Sequence, residues 1–248
     1  MAYEASMARV NELPPVPDTP ERPPVVSIAG EERIDVVASD GTKLEARIVV
    51  PAGARRVAVL AHPHPLYGGS MHNAVIVALA KVVSERGCAT LRFNFRGVGE
   101  SEGAYDAGAR EVLDVIGALQ AAAGALPGAA ISALGYSFGS WVTLAAARRR
   151  VIDVERVALI GPAARLFDFH ATDEHGARFE GPMAIVLGDD DEFCDVAEAE
   201  KIAYHLGAPL TIVPGADHYF LNGRRRLAER VAPFLVGDVD AIERALPT

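Results

Sequence analysis

The segment that decides the fold is Ala130-Ile131-Ser132-Ala133-Leu134-Gly135-Tyr136-Ser137-Phe138-Gly139-Ser140-Trp141. A short apolar run ends at Leu134, a Gly-x-Ser-x-Gly pentapeptide follows, and a helical pattern runs from about Trp141 to Ala147. Strand, sharp turn and helix in this order form the setting in which a serine is lifted above a sheet edge. The turn strains the serine backbone, and glycine at positions 135 and 139 lacks the Cβ that would strike neighbouring chain. The Ser137 hydroxyl then projects over a helix N-terminus, whose partial positive charge favours a developing oxyanion. Ser137 is therefore the candidate nucleophile. The plainer alternative is a glycine-flanked serine in an ordinary strand-to-helix loop.

Working outward, five more short apolar runs bounded by Gly or Pro repeat the pattern of Ala130–Leu134. They are 57–61, 89–93, 157–160, 184–187 and 210–213. Runs this short suit strands buried on both faces of a parallel sheet. Helical patterns at 74–84, 109–122, 140–148, 197–205 and 225–234 separate them, which predicts a doubly wound α/β sheet. Upstream, 33–38 and 43–50 alternate polar with apolar around Asp40-Gly41 and read as an antiparallel hairpin. Hairpin and parallel strands together make eight.

A serine hydroxyl needs a base, and the base needs an orienting acid. In a fold of this kind the chain order is serine, acid, histidine. His170 and His175 precede the 184–187 strand and come too early, and His205 sits in a helix. His218, in Pro214-Gly215-Ala216-Asp217-His218, lies just past the last strand and is the expected base. The acid should follow 184–187, where Gly188-Asp189-Asp190-Asp191-Glu192 offers four carboxylates. A turn that starts at Gly188 and rotates back toward His218 favours Asp191, ahead of Asp190 and then Asp189. No D-x-D-x-D-G loop with a later Glu suggests a cation site there.

The second oxyanion donor is expected after the 57–61 strand, in His62-Pro63-His64-Pro65-Leu66-Tyr67-Gly68-Gly69. Pro63 and Pro65 have no N–H. His64 and Phe138 are therefore the expected backbone donors, with Leu66 as an alternative to His64. Tyr67 and Tyr136 are the expected substrate contacts. His62 is read as a brace for this loop; no third ligand at usable spacing supports a metal, and none is expected.

These residues resemble the α/β-hydrolase superfamily, and within it a group of small bacterial hydrolases with a His-Pro-His-Pro loop. The resemblance rests on 61–69, Leu91-Arg92-Phe93-Asn94-Phe95-Arg96-Gly97-Val98-Gly99, the Ser137 turn, 188–191 and 215–218. It covers roughly residues 33 to 236. It implies ester, thioester or amide hydrolysis without a cofactor. Many relatives carry Asp where this chain has Asn94, in a stretch that is structural. Gly97-Val98-Gly99 has the start of a dinucleotide loop, but Glu102 stands where a third glycine is needed.

The whole chain sets bounds. It has 248 residues, half of them hydrophobic, enough for one large domain at 27–248. Residues 1–26 hold six prolines among charges and read as an extended or disordered arm. A net charge of −9 argues against nucleic acid. The basic runs 148–150 and 224–226 sit near helix ends, where solvation or dipole complementation is expected. Cys88 and Cys194 form no ligand or disulfide spacing, and no signal or membrane-spanning stretch stands out, so a cytoplasmic protein is expected. The expected partner is a small acyl substrate, with no membrane, and a homodimer is allowed. About 20 residues separate the strands at Val157 and Ala184, too few for the large helical lid that often inserts there. A connecting helix and loop would fit, with Phe167, Phe169 and Phe179 available to line an open site.

Overall fold

The computed structural model describes residues 24–170 and 178–238. Most of the proline-rich stretch and His175 lie outside them.

The six apolar runs are strands β5 (Arg56–Ala61), β6 (Ala89–Phe93), β7 (Ala130–Tyr136), β8 (Arg156–Ile160), β9 (Met183–Gly188) and β10 (Leu210–Val213). Upstream, β1 (Glu31–Arg33) and β4 (Ala46–Val49) pair antiparallel, and β4 pairs antiparallel with β6. The eight-stranded sheet runs β1-β4-β6-β5-β7-β8-β9-β10, parallel from β6 to β10. The hairpin differs from expectation in being split. Its tip is a separate ribbon of β2 (Val36–Val37) and β3 (Lys43–Leu44). Glu45 makes the break: its carbonyl accepts from Asn94 N–H at 2.8 Å and its carboxylate from the Asn94 amide at 2.7 Å. Asparagine at position 94 can donate to Glu45 where an aspartate would repel it.

Among the described residues, five α-helices cover the sheet: α1 (Ala74–Glu85), α2 (Glu111–Ala125), α3 (Phe138–Arg148), α4 (Val196–Leu206) and α5 (Arg224–Val236). Period-two alternation sorts β5 into two cores. Val57, Val59 and Ala61 pack with residues of α2, α3 and α4, while Ala58 and Leu60 pack with residues of α1 and α5. Local chemistry sets the helix ends. Asn73 and Asp195 accept from backbone N–H groups at the starts of α1 and α4, and Gly207 closes α4 in the left-handed region.

The run 148–150 lies at a helix end as expected, with Arg148 in the last turn of α3 and Arg149 and Arg150 exposed, whereas 224–226 departs from expectation. Arg148 is buried, and Arg224–Arg226 open a helix, where the dipole disfavours cations. Arg225 pairs instead with Glu229 at 2.9 Å.

Between β8 and β9, no helix forms among the described residues 161–170 and 178–182. Chain order reverses at β5, with β6 on one side and β7 on the other, so a crevice opens at the carboxyl edge there. The loops after β5, β7, β9 and β10 meet at that edge.

One buried ion pair steadies the loop after β6. Arg96 reaches Asp114 through Nε at 3.0 Å and Nη2 at 2.6 Å, and Asp40 through Nη1 at 2.9 Å. The guanidinium holds the Asp40 carboxyl down at about 2. Asp114→Ala leaves the guanidinium buried beside one remaining carboxylate, and removing one partner of a buried pair typically costs about 3–5 kcal/mol. Urea unfolding of the variant should show that loss, and a change under 1 kcal/mol would contradict it.

Candidate functional site

Ser137 sits between β7 and α3 with φ 57° and ψ −120°. A Cβ at Gly135 would lie 2.1 Å from the Gly139 carbonyl oxygen, and one at Gly139 would lie 2.5 Å from the carbonyls of Ala61 and His62. Both glycines are therefore dictated by backbone contact. The strained turn is pinned by Ser137 N–H donating to Ile160 O at 2.9 Å.

His218 Nε2 is 2.9 Å from Ser137 Oγ, and His218 Nδ1 is 2.8 Å from Asp191 Oδ2. An ionised carboxylate only accepts, so Nδ1 carries the proton and the Nε2 lone pair faces the serine. All three residues are buried, with Ser137 8% exposed. Asp191 is fixed by its other oxygen, which accepts from the N–H groups of Phe193 and Cys194 at 2.8 and 3.2 Å. Among its competitors, Asp190 is exposed, and Asp189 accepts from Gly215 N–H at 2.6 Å. The other described histidines that follow Ser137 lie elsewhere: His170 and His205 contact one another, with Glu198 beside His170.

The loop after β5 is organised by its two histidines. His62 donates from Nδ1 to Pro63 O at 2.6 Å and accepts at Nε2 from Phe95 N–H at 3.0 Å, which is the expected brace. His64 accepts at Nδ1 from Leu66 N–H at 3.2 Å. Its Nε2 then carries the proton and donates to the Tyr105 hydroxyl at 3.0 Å. Both nitrogens of each ring are thus committed to hydrogen bonds. The Leu66 N–H is spent on His64, which removes it as the alternative oxyanion donor. His64 O accepts from Tyr67 and Gly69, both at 3.1 Å, while no hydrogen bond among the described residues engages the N–H of His64 or of Phe138. Phe138 is the first residue of α3, where N–H groups have no helical acceptor.

A cavity of about 700 Å³, open mouth included, lies over Ser137 and His218. Pro63, His64, Tyr67, Gly69, Asn73, Tyr136, Leu166, Phe167, Phe193 and Tyr219 complete its lining. Tyr67 therefore stands where substrate contact is expected. Tyr136 borders the cavity too, but its hydroxyl donates to the His218 carbonyl at 2.8 Å, a brace for the histidine loop. Of the three phenylalanines considered for the lining, Phe167 is there, Phe169 is buried in the core, and Phe179 faces a different cavity with Arg148 and Tyr204.

Tyr105, Asn73, Leu166, Phe193 and Tyr219 went unread in the sequence. Phe193 and Tyr219 lie one or two positions from Asp191 and His218, and that adjacency was an available signal. Tyr105, 41 residues from His64, offered none.

Residues 40–180 match the family model of the X-Pro dipeptidyl-peptidases (S15 family). The chain belongs to that family. An uncharacterized protein of Rickettsia prowazekii is 30% identical to this S15-family chain over 191 residues, 73% of this chain and 78% of the relative. A putative α/β hydrolase from Agrobacterium tumefaciens is 27% identical with a TM-score of 0.73, covering 88% of this chain and 100% of that one. An α/β serine hydrolase homologue from Coxiella burnetii is also 27% identical, with a TM-score of 0.71 over 89% and 100%. The S15-family chain thus has the α/β-hydrolase fold.

Burial holds His64 at about 4 and His62 at about 3, so both imidazoles are neutral at pH 7. An unfolded imidazole takes its proton near pH 6.5, while the folded ones refuse it until far lower pH. Stability therefore falls as pH falls below 6.5 and is fully present above it, by about 2 kcal/mol per histidine between pH 7 and 5. Urea midpoints at the two pH values should show this, and His64→Gln should remove its share. An unchanged pH slope in that variant would contradict the assignment.

Proposed function

We propose that this α/β-hydrolase-fold protein is a serine hydrolase that cleaves carboxylic esters through an acyl-Ser137 intermediate. The observation that carries the reading is the hydrogen-bonded chain from Ser137 through His218 to Asp191 at the floor of an open cavity. His218 takes the serine proton as Oγ attacks the acyl carbon, and Asp191 stabilises the imidazolium that forms. The N–H groups of Phe138 and His64 receive the oxyanion, each donor worth about 3 kcal/mol in the transition state. His218 then passes its proton to the departing alcohol, and water repeats the sequence to release the acid.

Small-peptide cleavage is the second reading, favoured by the family match. Release of a dipeptide requires capture of the substrate's terminal ammonium. Among the described residues, Asp191, committed to His218, is the only carboxylate in contact with the site's reacting groups, and no described cavity-lining side chain is a carboxylate. This supports the ester over the peptide.

The wild-type protein should hydrolyse p-nitrophenyl esters from acetate to octanoate and leave glycyl-prolyl-p-nitroanilide nearly untouched. Ser137→Ala should abolish ester turnover, and Asp191→Asn should lower kcat about 10⁴-fold by reversing the histidine tautomer. No hydrolysis across the ester series, together with no fluorophosphonate labelling of Ser137, would overturn the reading. Tyr105→Phe tests the oxyanion loop separately. Loss of the His64 Nε2 partner should lower kcat about tenfold with KM nearly constant, since a misplaced donor is felt mainly in the transition state. A rise in KM with kcat unchanged would contradict that role.

A further inference from the structure

The open question at this site is the leaving group, because the Ser137–His218–Asp191 chain serves an ester or a thioester equally. The charges around the cavity bear on it. Among the described residues, none of the side chains lining it is a lysine, arginine, aspartate or glutamate, and its histidine walls are neutral or committed to Asp191. Tyr67, Phe167, Phe193 and Tyr219 present aromatic surface instead.

Beyond the lining, the two loops that carry Asp191 and His218 also carry Asp189, Asp190, Glu192 and Asp217. Asp189, Asp190 and Glu192 are exposed. Charge from these loops reaches the cavity: burial raises the Tyr219 hydroxyl first, and the charges of Glu192, Asp217 and Asp191 raise it further. Tyr219 stands half exposed at the mouth. Among the described residues, two cations are near. Arg165 is exposed, beside Leu166, with its backbone N–H on Phe193 O at 3.0 Å, and Arg224 acts on Tyr136 from the start of α5. Among the described residues, the five carboxylates of these two loops against two guanidinium groups make the approach negative, and a phosphate arriving there finds no charged donor in the described cavity wall.

We propose that the site filters substrates by charge: it takes acyl groups carried on neutral alcohols or thiols and rejects those carried on phosphorylated thiols of the coenzyme A type. The proposal rests on the serine-hydrolase reading and deepens it by naming the leaving-group class. The acyl carbon transfers to Ser137 Oγ, the bond to the leaving oxygen or sulfur breaks, and His218 supplies the proton the leaving group carries away. No other reactant than water is needed.

A matched pair of thioesters tests it. Butyryl-coenzyme A and S-butyryl-N-acetylcysteamine share the acyl group and the bond to be broken, and only the first carries phosphates. At about 0.01 M salt, kcat/KM should be at least 100-fold higher for the neutral thioester. Raising salt to about 1 M, where the Debye length shrinks from about 30 Å to 3 Å, should narrow the gap at least tenfold. The double variant Asp190→Lys/Glu192→Lys should raise turnover of butyryl-coenzyme A at least fivefold while the neutral thioester stays within twofold. Equal rates on the two thioesters would overturn the charge filter. So would a gap indifferent to both salt and the lysines, which would mark exclusion by size. If neither thioester nor any p-nitrophenyl ester is hydrolysed and Ser137 resists labelling, the hydrolase reading itself falls; turnover of the esters with coenzyme A thioesters preferred removes the charge filter alone.

Discussion

Backbone meets backbone at the turn after β7, and the site is arranged around that contact. Gly139 lies against the carbonyls of Ala61 and His62, at the exit of β5, and Gly135 lies against Gly139 itself. No side chain can be interposed at either position without moving two strands and a helix. With those approaches closed, the single residue between them that faces the crevice takes a positive φ, which is costly for serine and is held by its neighbours. The same contact fixes the distance between the start of α3 and the His62–Gly69 loop. The two free backbone donors of Phe138 and His64 therefore belong to one rigid unit and not to two independent loops.

The loop after β5 achieves its rigidity without charge. His62 and His64 are both buried and neutral, and each spends one ring nitrogen as donor and one as acceptor. Burial alone would penalise an unsatisfied imidazole, so the partners decide the tautomers. Phe95 and Tyr105 supply them from the segment after β6, which Arg96 ties to Asp114 and Asp40. The buried ion pair thus acts on the site at one remove: it holds the segment that holds the histidines.

Features that depend on adjacent residues were readable in the sequence, and features that depend on distant partners were not. Six apolar runs, five helices and the serine turn follow from periodicity and glycine spacing. The order serine, acid, histidine then singled out His218, and the structure brings it to Ser137 with Asp191 behind it. The split hairpin could not be read, because Glu45 breaks the strand only by meeting Asn94, 49 residues on. Arg148 looked like part of a solvated run, yet it closes α3 inside the fold. Tyr136 sits beside the nucleophile in sequence, but its strand carries the hydroxyl to the far loop. Tyr136 borders the cavity, and its hydroxyl in addition braces the histidine loop.

The acid run 189–192 shows why position outweighs residue type. A Cβ at Gly188 would lie 2.0 Å from Ala216 O, so the end of β9 is pressed against the histidine loop. Asp190 N–H donates to that same carbonyl at 3.1 Å, and the Asp189 carboxylate takes Gly215 N–H. The first two aspartates therefore bind the two loops together, one through its side chain and one through its backbone. Only the third residue is left to turn inward. Gly161 takes a left-handed backbone at φ 50° beneath this pair, and a Cβ there would meet the His218 ring at 3.4 Å and Asp191 at 3.5 Å, ordinary contact distances. Acid and base are thus carried by one stitched pair of loops, and any motion of that pair moves both toward or away from Ser137 together.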